Sequence, residues 1–359
     1  MERKRFVSYL LTAAVALGVG FAGGWLGKTK RVEEIGRPTF KYQRTENENE
    51  YILQKVIPNG AKTITVPSVY NGCAVVEIGA YAFDYCRTVQ EVEIPYTVTS
   101  IGTCAFRGCK ALQAISLPNS VEEIGGEAFL DCTGLKSVEI GAGVQWLNGS
   151  AFSGCAELSQ FIVDETNPYC QSINGDLYDK RENGLTLVRY ATGKKATELS
   201  LSQEVTSIAG SAFEGSGNLK KIVIPDSVVG IGYSAFKDCV ALQTVNLPSG
   251  LETLAGGMFW GCKSLTELVI PGGIYDIPPH AFRGCEKLMK INVPDSVDAI
   301  GIYAFSGCSS LNEVRFEGVG GWTIPEDETS VPAETLADPL EAAKLLKSLD
   351  YKIMERSWG

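Results

Sequence analysis

The chain writes one short phrase nine times. A phenylalanine, mostly with alanine before it and cysteine three residues after it, stands at Phe83, Phe106, Phe129, Phe152, Phe213, Phe236, Phe259, Phe282 and Phe305. Successive copies lie 23 residues apart, except for one interval of 61 between Phe152 and Phe213. A fixed period of this size marks stacked units that cannot bury their apolar face alone. Each unit packs only on its neighbours, so the array counts as one domain in spite of its 359 residues.

The physics of one unit can be read from residues 112–132. Leu112, Ile115 and Leu117 follow the spacing L-x-x-I-x-L, which resembles the strand half of a leucine-rich repeat. Ile115 and Leu117 are two apart and share the inward face of a strand. Pro118 ends that strand, because proline has no ladder donor; it recurs as Pro67, Pro95, Pro225, Pro248, Pro271 and Pro294. Val121 and Ile124 form a second inward pair, and the Ala-Phe pair then reads as a tight helical turn whose ring plugs the coil. Each inward position becomes a column of buried side chains worth ~1.5–3 kcal/mol apiece. The fold class expected is therefore a β-rich solenoid: 23-residue coils with short helical turns, one β-hairpin insertion and a C-terminal α/β cap.

Eight of the eleven cysteines occupy one column: Cys86, Cys109, Cys132, Cys155, Cys239, Cys262, Cys285 and Cys308, with Ser216 in the ninth copy. The repeat, not a pairing partner, sets their position. Three readings are open: a ladder of free buried thiols, disulfides between neighbouring coils, and a metal site. The spacing is never C-x-x-C and His280 is the one imidazole, so zinc is poorly supported and no cofactor is expected.

The N-terminus reads as a targeting segment. Arg3, Lys4 and Arg5 precede an uncharged run over 6–27, and Lys28, Lys30 and Arg31 follow it. Such a run reaches ~33 Å as a helix, enough to cross a ~30 Å hydrocarbon core. Residues 1–5 are expected in the cytoplasm by the positive-inside rule. Either an uncleaved single-pass anchor or a cleaved signal peptide fits, and both place the body outside the membrane. The polar stretch 28–50 is expected to be a spacer, 51–317 the solenoid and 318–359 a C-terminal cap.

Formal net charge is −10, yet six of the 32 Lys/Arg lie in the first 31 residues beside one acid. The rest carries 26 basic against 41 acidic residues, a net charge of −15. So acidic a body argues against nucleic acid as a partner.

The long interval holds an insertion at 164–198. Asp176-Leu177-Tyr178-Asp179, then Asn183-Gly184, then 185–190 read as a hairpin around an Asn-Gly turn. It is either an edge decoration or a projecting binding loop, with Tyr178 and Tyr190 as candidate contacts. At the far end, Asp338-Pro339 has the form of a helix start, and Leu340, Ala343, Leu346 and Leu349 give a helical stripe over the last coil.

The phrase Ile222-Val223-Ile224-Pro225-Asp226-Ser227-Val228, continuing through Gly232, Ala235-Phe236 and Cys239, resembles the BspA-type leucine-rich repeat. Asn167-Pro168-Tyr169, Asn174-Gly175, Leu177-Tyr178-Asp179 and Gly193-Lys194 are similar to the hairpin insert of that family. The resemblance covers residues 51–317. It implies a surface-exposed or secreted bacterial or protist protein, some relatives being associated with adhesion, and offers no shared catalytic residues.

Function is thus expected to be non-catalytic: a cell-surface module binding an extracellular protein or glycan, or else a structural spacer of the envelope. With one histidine, no G-x-S-x-G and no phosphate loop, an enzyme is disfavoured. Outside the insert, the candidate contacts are Trp146, Trp260 and Tyr275, aromatics that interrupt the repeat and share no single column.

Overall fold

The computed structural model describes residues 36–181 and 184–356. The expected membrane or signal segment lies outside the described residues, and among those residues no helix is long and apolar enough to cross a membrane.

The chain is a β-solenoid. Each coil lays down a first strand and a second strand on two different sides. The first strands stack in parallel with a shift of one repeat: Ala114–Leu117, Ser137–Ile140 and Gln160–Val163 align Ile115, Val138 and Phe161. The second strands stack the same way, Ser100–Ile101 on Glu123–Ile124 on Trp146–Leu147. Inward residues of both sides are buried, as the columns require. The phenylalanines form the axis. Neighbouring rings are stacked with centroids 4.7 Å apart for Phe83 and Phe106 and 5.7 Å for Phe259 and Phe282.

The Ala-Phe turn is less helical than its sequence suggests. Only Gly149–Phe152 forms a helix, a 3-10 turn. In most other copies the residue before alanine takes a left-handed conformation, with φ of 61° at Tyr81 and His280 and 56° at Tyr303. That conformation is uncommon for non-glycine residues. Here a main-chain bond to the next coil holds it, as in Tyr81 N to Thr103 O at 3.2 Å.

The cysteine column closes the coils. Seven of the eight thiols donate to the phenylalanine carbonyl of the preceding coil, as in Cys109 to Phe83 at 3.2 Å, Cys262 to Phe236 at 3.0 Å and Cys308 to Phe282 at 3.1 Å, while Cys86 in the first copy donates to Val56 O at 3.9 Å. All eleven cysteines are free thiols. Burial pushes Cys86, Cys155 and Cys308 up to about 12 and holds Cys262 and Cys285 well above the ordinary thiol value. Because the thiolate is the reactive form, the column is expected to resist a thiol reagent at pH 8. Eleven thiols should label once the chain is unfolded without reductant. A shortfall of two in that count would reveal a disulfide.

The insertion is a part of the solenoid and not an appendage. Cys170–Ile173, Asp176–Asp179 and Leu185–Arg189 form an antiparallel meander, one strand more than the sequence showed. Its last strand joins Val205–Ile208 in parallel and so continues the second-strand side. Tyr190, 23 residues before Phe213, takes the missing place in the ring column, with centroids 5.5 Å apart. The apolar core divides into two clusters here. Leu177, Val188 and Ala191 belong to the first half, Tyr178, Leu187 and Tyr190 to the second.

Arg189 fastens the junction. It is 1% exposed, and its guanidinium donates to Phe152 O at 3.2 Å, Glu214 O at 3.0 Å and Ser211 O at 2.5 Å. In a regular coil a cysteine thiol would serve the Phe152 carbonyl. Burial lowers the Arg189 pKa. At the neighbouring Ser216 the ladder is broken: its hydroxyl is buried and has no partner among the described residues.

Both ends are capped. At the first coil, Thr39–Arg44 pairs antiparallel with Glu50–Ile57. The expected spacer at 28–50 therefore gives way to a strand over 39–44. Phe40 and Tyr42 alternate as a strand requires, and Tyr42 stacks on Tyr70 with centroids 4.0 Å apart. At the other end Asp338 caps the helix Pro339–Ser348 by accepting from Leu340 N and Glu341 N. A short helix, Ala333–Ala337, precedes it. The buried stripe is Ala342, Ala343, Leu346 and Leu349, whereas Leu340 is 49% exposed. Met354–Arg356 completes the lid by pairing with Ala299–Ile300 and Trp322–Ile324.

Candidate binding site

Repeating positions build the wall of the solenoid, so a recognition site is sought where the repeat is interrupted. Two grooves lie along one edge, where the second strand of each coil passes into its Ala-Phe turn. The column two residues before the alanine position is small in most coils (Ala80, Thr103, Gly126, Gly149, Gly210 and Gly256), which leaves that edge poor in side chains except at Tyr233, Pro279 and Ile302.

The larger groove has a volume of about 800 Å³. Its floor is Ile231, Leu254, Gly256 and Gly257; Tyr233 stands on one side and Trp260, His280 and Pro279 on the other. Tyr233 is 75% exposed. The left-handed backbone at His280 and Tyr303 places their rings in a surface stack with Trp260: Trp260 to His280 is 5.3 Å and His280 to Tyr303 is 5.2 Å. Two cations serve the stack. Arg283 lies 5.0 Å from the Trp260 ring and 5.1 Å from that of Tyr303, and Lys237 lies 5.5 Å from Trp260. Cation–π contacts of this kind contribute ~0.5–1 kcal/mol each at exposed sites. Burial, then the Arg283 charge, lowers the His280 pKa, which favours the neutral ring.

The second groove, of about 630 Å³, lies between Trp146 and the hairpin. Gly149, Val188 and Gly210 form its floor, so it bridges the insertion and continues the same edge. Trp146 is 58% exposed, with the Arg181 guanidinium 4.9 Å from its ring. Arg181 is in turn ion-paired to Asp179.

The five aromatics singled out from the sequence divide into three groups. Trp146 and Trp260 fall on one edge although they occupy different columns, because each groove spans the strand end and the turn. Tyr275 is 65% exposed and precedes Asp276, which lines the larger groove; Tyr275 itself stands outside the lining. Tyr178 and Tyr190 are 6% and 2% exposed and belong to the core of the insertion, so neither is a projecting contact. Tyr233 had no signal beyond its deviation from the small residues usual at its column, and His280 had none, since its column also carries Tyr81, Glu127 and Tyr303.

The chemistry of this edge is recognition by ring faces, cations and exposed main chain. Among the described residues no three His, Cys, Asp or Glu side chains are grouped to hold a metal ion.

Comparison with known proteins fixes the family. A model described as BspA type leucine rich repeat region matches residues 76–182 and 189–316 in six copies. The chain belongs to this family. The BspA-type repeats thus cover more than half of the sequence, and the interruption between the matched stretches falls on the hairpin. Among solved structures, the chain is similar to a leucine rich cell surface protein of Faecalibacterium prausnitzii at 27% identity, over 78% of this chain and 93% of that one, with a TM-score of 0.47. It shares the fold of the pneumococcal vaccine antigen PcpA at 19% identity, over 83% and 92% of the two chains, with a TM-score of 0.57. A leucine-rich repeat protein of Eubacterium ventriosum matches at 22% identity over 77% and 94%, with a TM-score of 0.50. No curated protein sequence matches the chain. A repeat module of this family serves protein interaction or structure.

Proposed function

We infer that this BspA-type repeat protein is a non-catalytic surface module that binds a protein partner along the grooved edge, with its N-terminal segment directing the body out of the cell. The observation that carries the reading is the larger groove: a glycine floor flanked by Tyr233 and the Trp260–His280 stack, on an otherwise regular wall. Aromatic and arginine side chains around an apolar depression are the usual anchors of protein interfaces. A rigid scaffold with repeat-breaking residues on one edge supports the same reading. The resemblance to a cell-surface protein of Faecalibacterium and the basic-then-apolar N-terminus support an extracellular place.

Gly256→Leu tests it. A Cβ on Gly256 meets the Tyr233 ring and Pro279 O at ordinary contact distance, and its φ is not left-handed, so the backbone tolerates a side chain there. The leucine fills the groove without disturbing the core. On intact cells, a photo-crosslinker in place of Tyr233 should capture a partner protein. Gly256→Leu should reduce that capture by about tenfold, the effect of ~1.4 kcal/mol, at an unchanged melting temperature. Equal capture by both proteins would refute the site. Capture of glycan alone would replace the protein partner, and no capture at either groove would favour an envelope spacer.

A further inference from the structure

The first-strand ladder breaks in three places; at two of them, between Glu91–Glu93 and Ala114–Leu117 and between Thr244–Val245 and Glu267–Leu268, a main-chain bond still joins the neighbouring coils, from Gln113 N to Gln90 O and from Thr266 N to Gln243 O. At the third, Gln160–Val163 ends one parallel sheet and Glu198–Ser200 begins the next, and no ladder joins them. The edge of Gln160–Val163 is already served by the insertion: Phe161 N donates to Gly175 O at 2.8 Å, and Ser172 Oγ donates to Phe161 O at 2.7 Å. The edge of Glu198–Ser200 is not. Its ladder runs to Lys221–Val223 through Thr197 O and Leu201 N. Successive residues of a strand aim their main-chain groups to opposite sides. The amides and carbonyls of Glu198 and Ser200 therefore face the gap, and among the described residues no main-chain group meets them.

The gap is a cavity of about 410 Å³. Leu199, Ser200 and Leu201 form one wall and the hairpin tip Ile173, Asn174 and Asp176 the other. Tyr190 lines it too, and its hydroxyl is buried with no partner among the described residues, in a residue 2% exposed. A buried hydroxyl left unpaired is costly, so this one marks a place for a polar group of a ligand. Lys194 closes the floor, 2.6 Å from Asp176 and 4.9 Å from the Tyr190 ring. The surrounding charge is local and distinct. Lys195, Lys220 and Lys221 are exposed and, among the described residues, form no ion pair, within a body that is strongly acidic. Lys221 stands opposite Glu198 in the register.

We propose that this gap is a docking slot for one extended peptide segment of a partner protein. The segment pairs its main chain with Glu198 and Ser200, offers a polar group to the Tyr190 hydroxyl, and carries a carboxylate against Lys195, Lys220 and Lys221. It supplies the strand missing from the first-strand side, in the manner of strand addition to an open sheet edge. The proposal rests on the reading of the chain as a protein-binding module but places this contact away from the grooved edge.

The test uses the full-length chain and a library of blocked hexapeptides, apolar and β-branched, with aspartate fixed at the first position. Bound members should slow hydrogen exchange of the Glu198 and Ser200 amides. Ser200→Pro removes the outward amide at a sheet edge, where proline is tolerated, and should abolish binding. Tyr190→Phe removes the hydroxyl alone and should weaken binding about threefold or more, one hydrogen bond being worth ~0.5–1.5 kcal/mol, with no loss of melting temperature. Lysine in place of the aspartate should also weaken binding. Peptides that bind Ser200→Pro as well as the parent would overturn the proposal, as would a library with no binder. So would protection of the gap by N-acetylglucosamine with all peptides inert. A partner that protects only the grooved edge would overturn the slot and leave the proposed function standing; loss of binding at both places would remove both.

Discussion

Phe236→Ala is expected to lower folding stability by roughly 3–5 kcal/mol, the cost of a buried aromatic truncated to alanine. Phe236 is fully buried and stacked on both sides, 5.1 Å from Phe213 and 5.2 Å from Phe259. Its removal opens a cavity shared by two interfaces between coils. Phe305 has one stacked phenylalanine, Phe282 at 5.3 Å, and the C-terminal lid beyond it. Phe305→Ala should therefore cost less than Phe236→Ala. Urea unfolding of the two variants beside the parent protein decides the matter, and equal costs would mean that the ring column does not transmit stability between coils.

Arg189→Met should cost about 3 kcal/mol and change the form of unfolding. Two effects oppose each other. Loss of the buried cation removes its desolvation cost, which is why a buried charge is often replaceable by an apolar side chain. Against this, three carbonyls lose a charged donor, each such bond contributing ~1.5–3 kcal/mol. Phe152 O and Ser211 O keep main-chain donors, from Cys155 N and Glu214 N or its equivalent in the turn, whereas Glu214 O has the Arg189 guanidinium as its hydrogen-bond donor. The net loss is thus below the sum of three bonds. Because Arg189 joins the turns of Phe152 and Phe213 across the boundary of the two core clusters, its loss should separate a single unfolding transition into two. Coinciding fluorescence and circular-dichroism transitions in the variant would contradict that role.

The period of 23 made the solenoid legible, since a regular column of large apolar residues has few other ways to be buried. The thiol ladder was legible for the same reason: eight cysteines at one phase belong to the wall. Other features were hidden by their composition. Residues 39–44 contain enough charge to read as a spacer, yet Phe40 and Tyr42 alternate and cover the first coil. Tyr190 looked like a contact of a projecting hairpin, because a tyrosine amid strand residues suggests an exposed ring. Its distance of 23 residues from Phe213 was the better signal, and the ring column is where the structure places it. The larger groove could not be read from one column, since Tyr233 and Gly256 share one phase while Trp260 and His280 come from two others, across three successive coils. A groove made by missing side chains leaves no motif.

The division between repeating positions that build the fold and interrupted positions that bind is tested most directly by a hydrogen-exchange footprint. The full-length chain is compared with and without the partner captured through Tyr233. The account predicts slowed exchange across 231–234, 253–257 and 276–280 with no change in the cysteine column. Protection confined to the regular outer faces of the coils, or spread evenly over the solenoid, would contradict it.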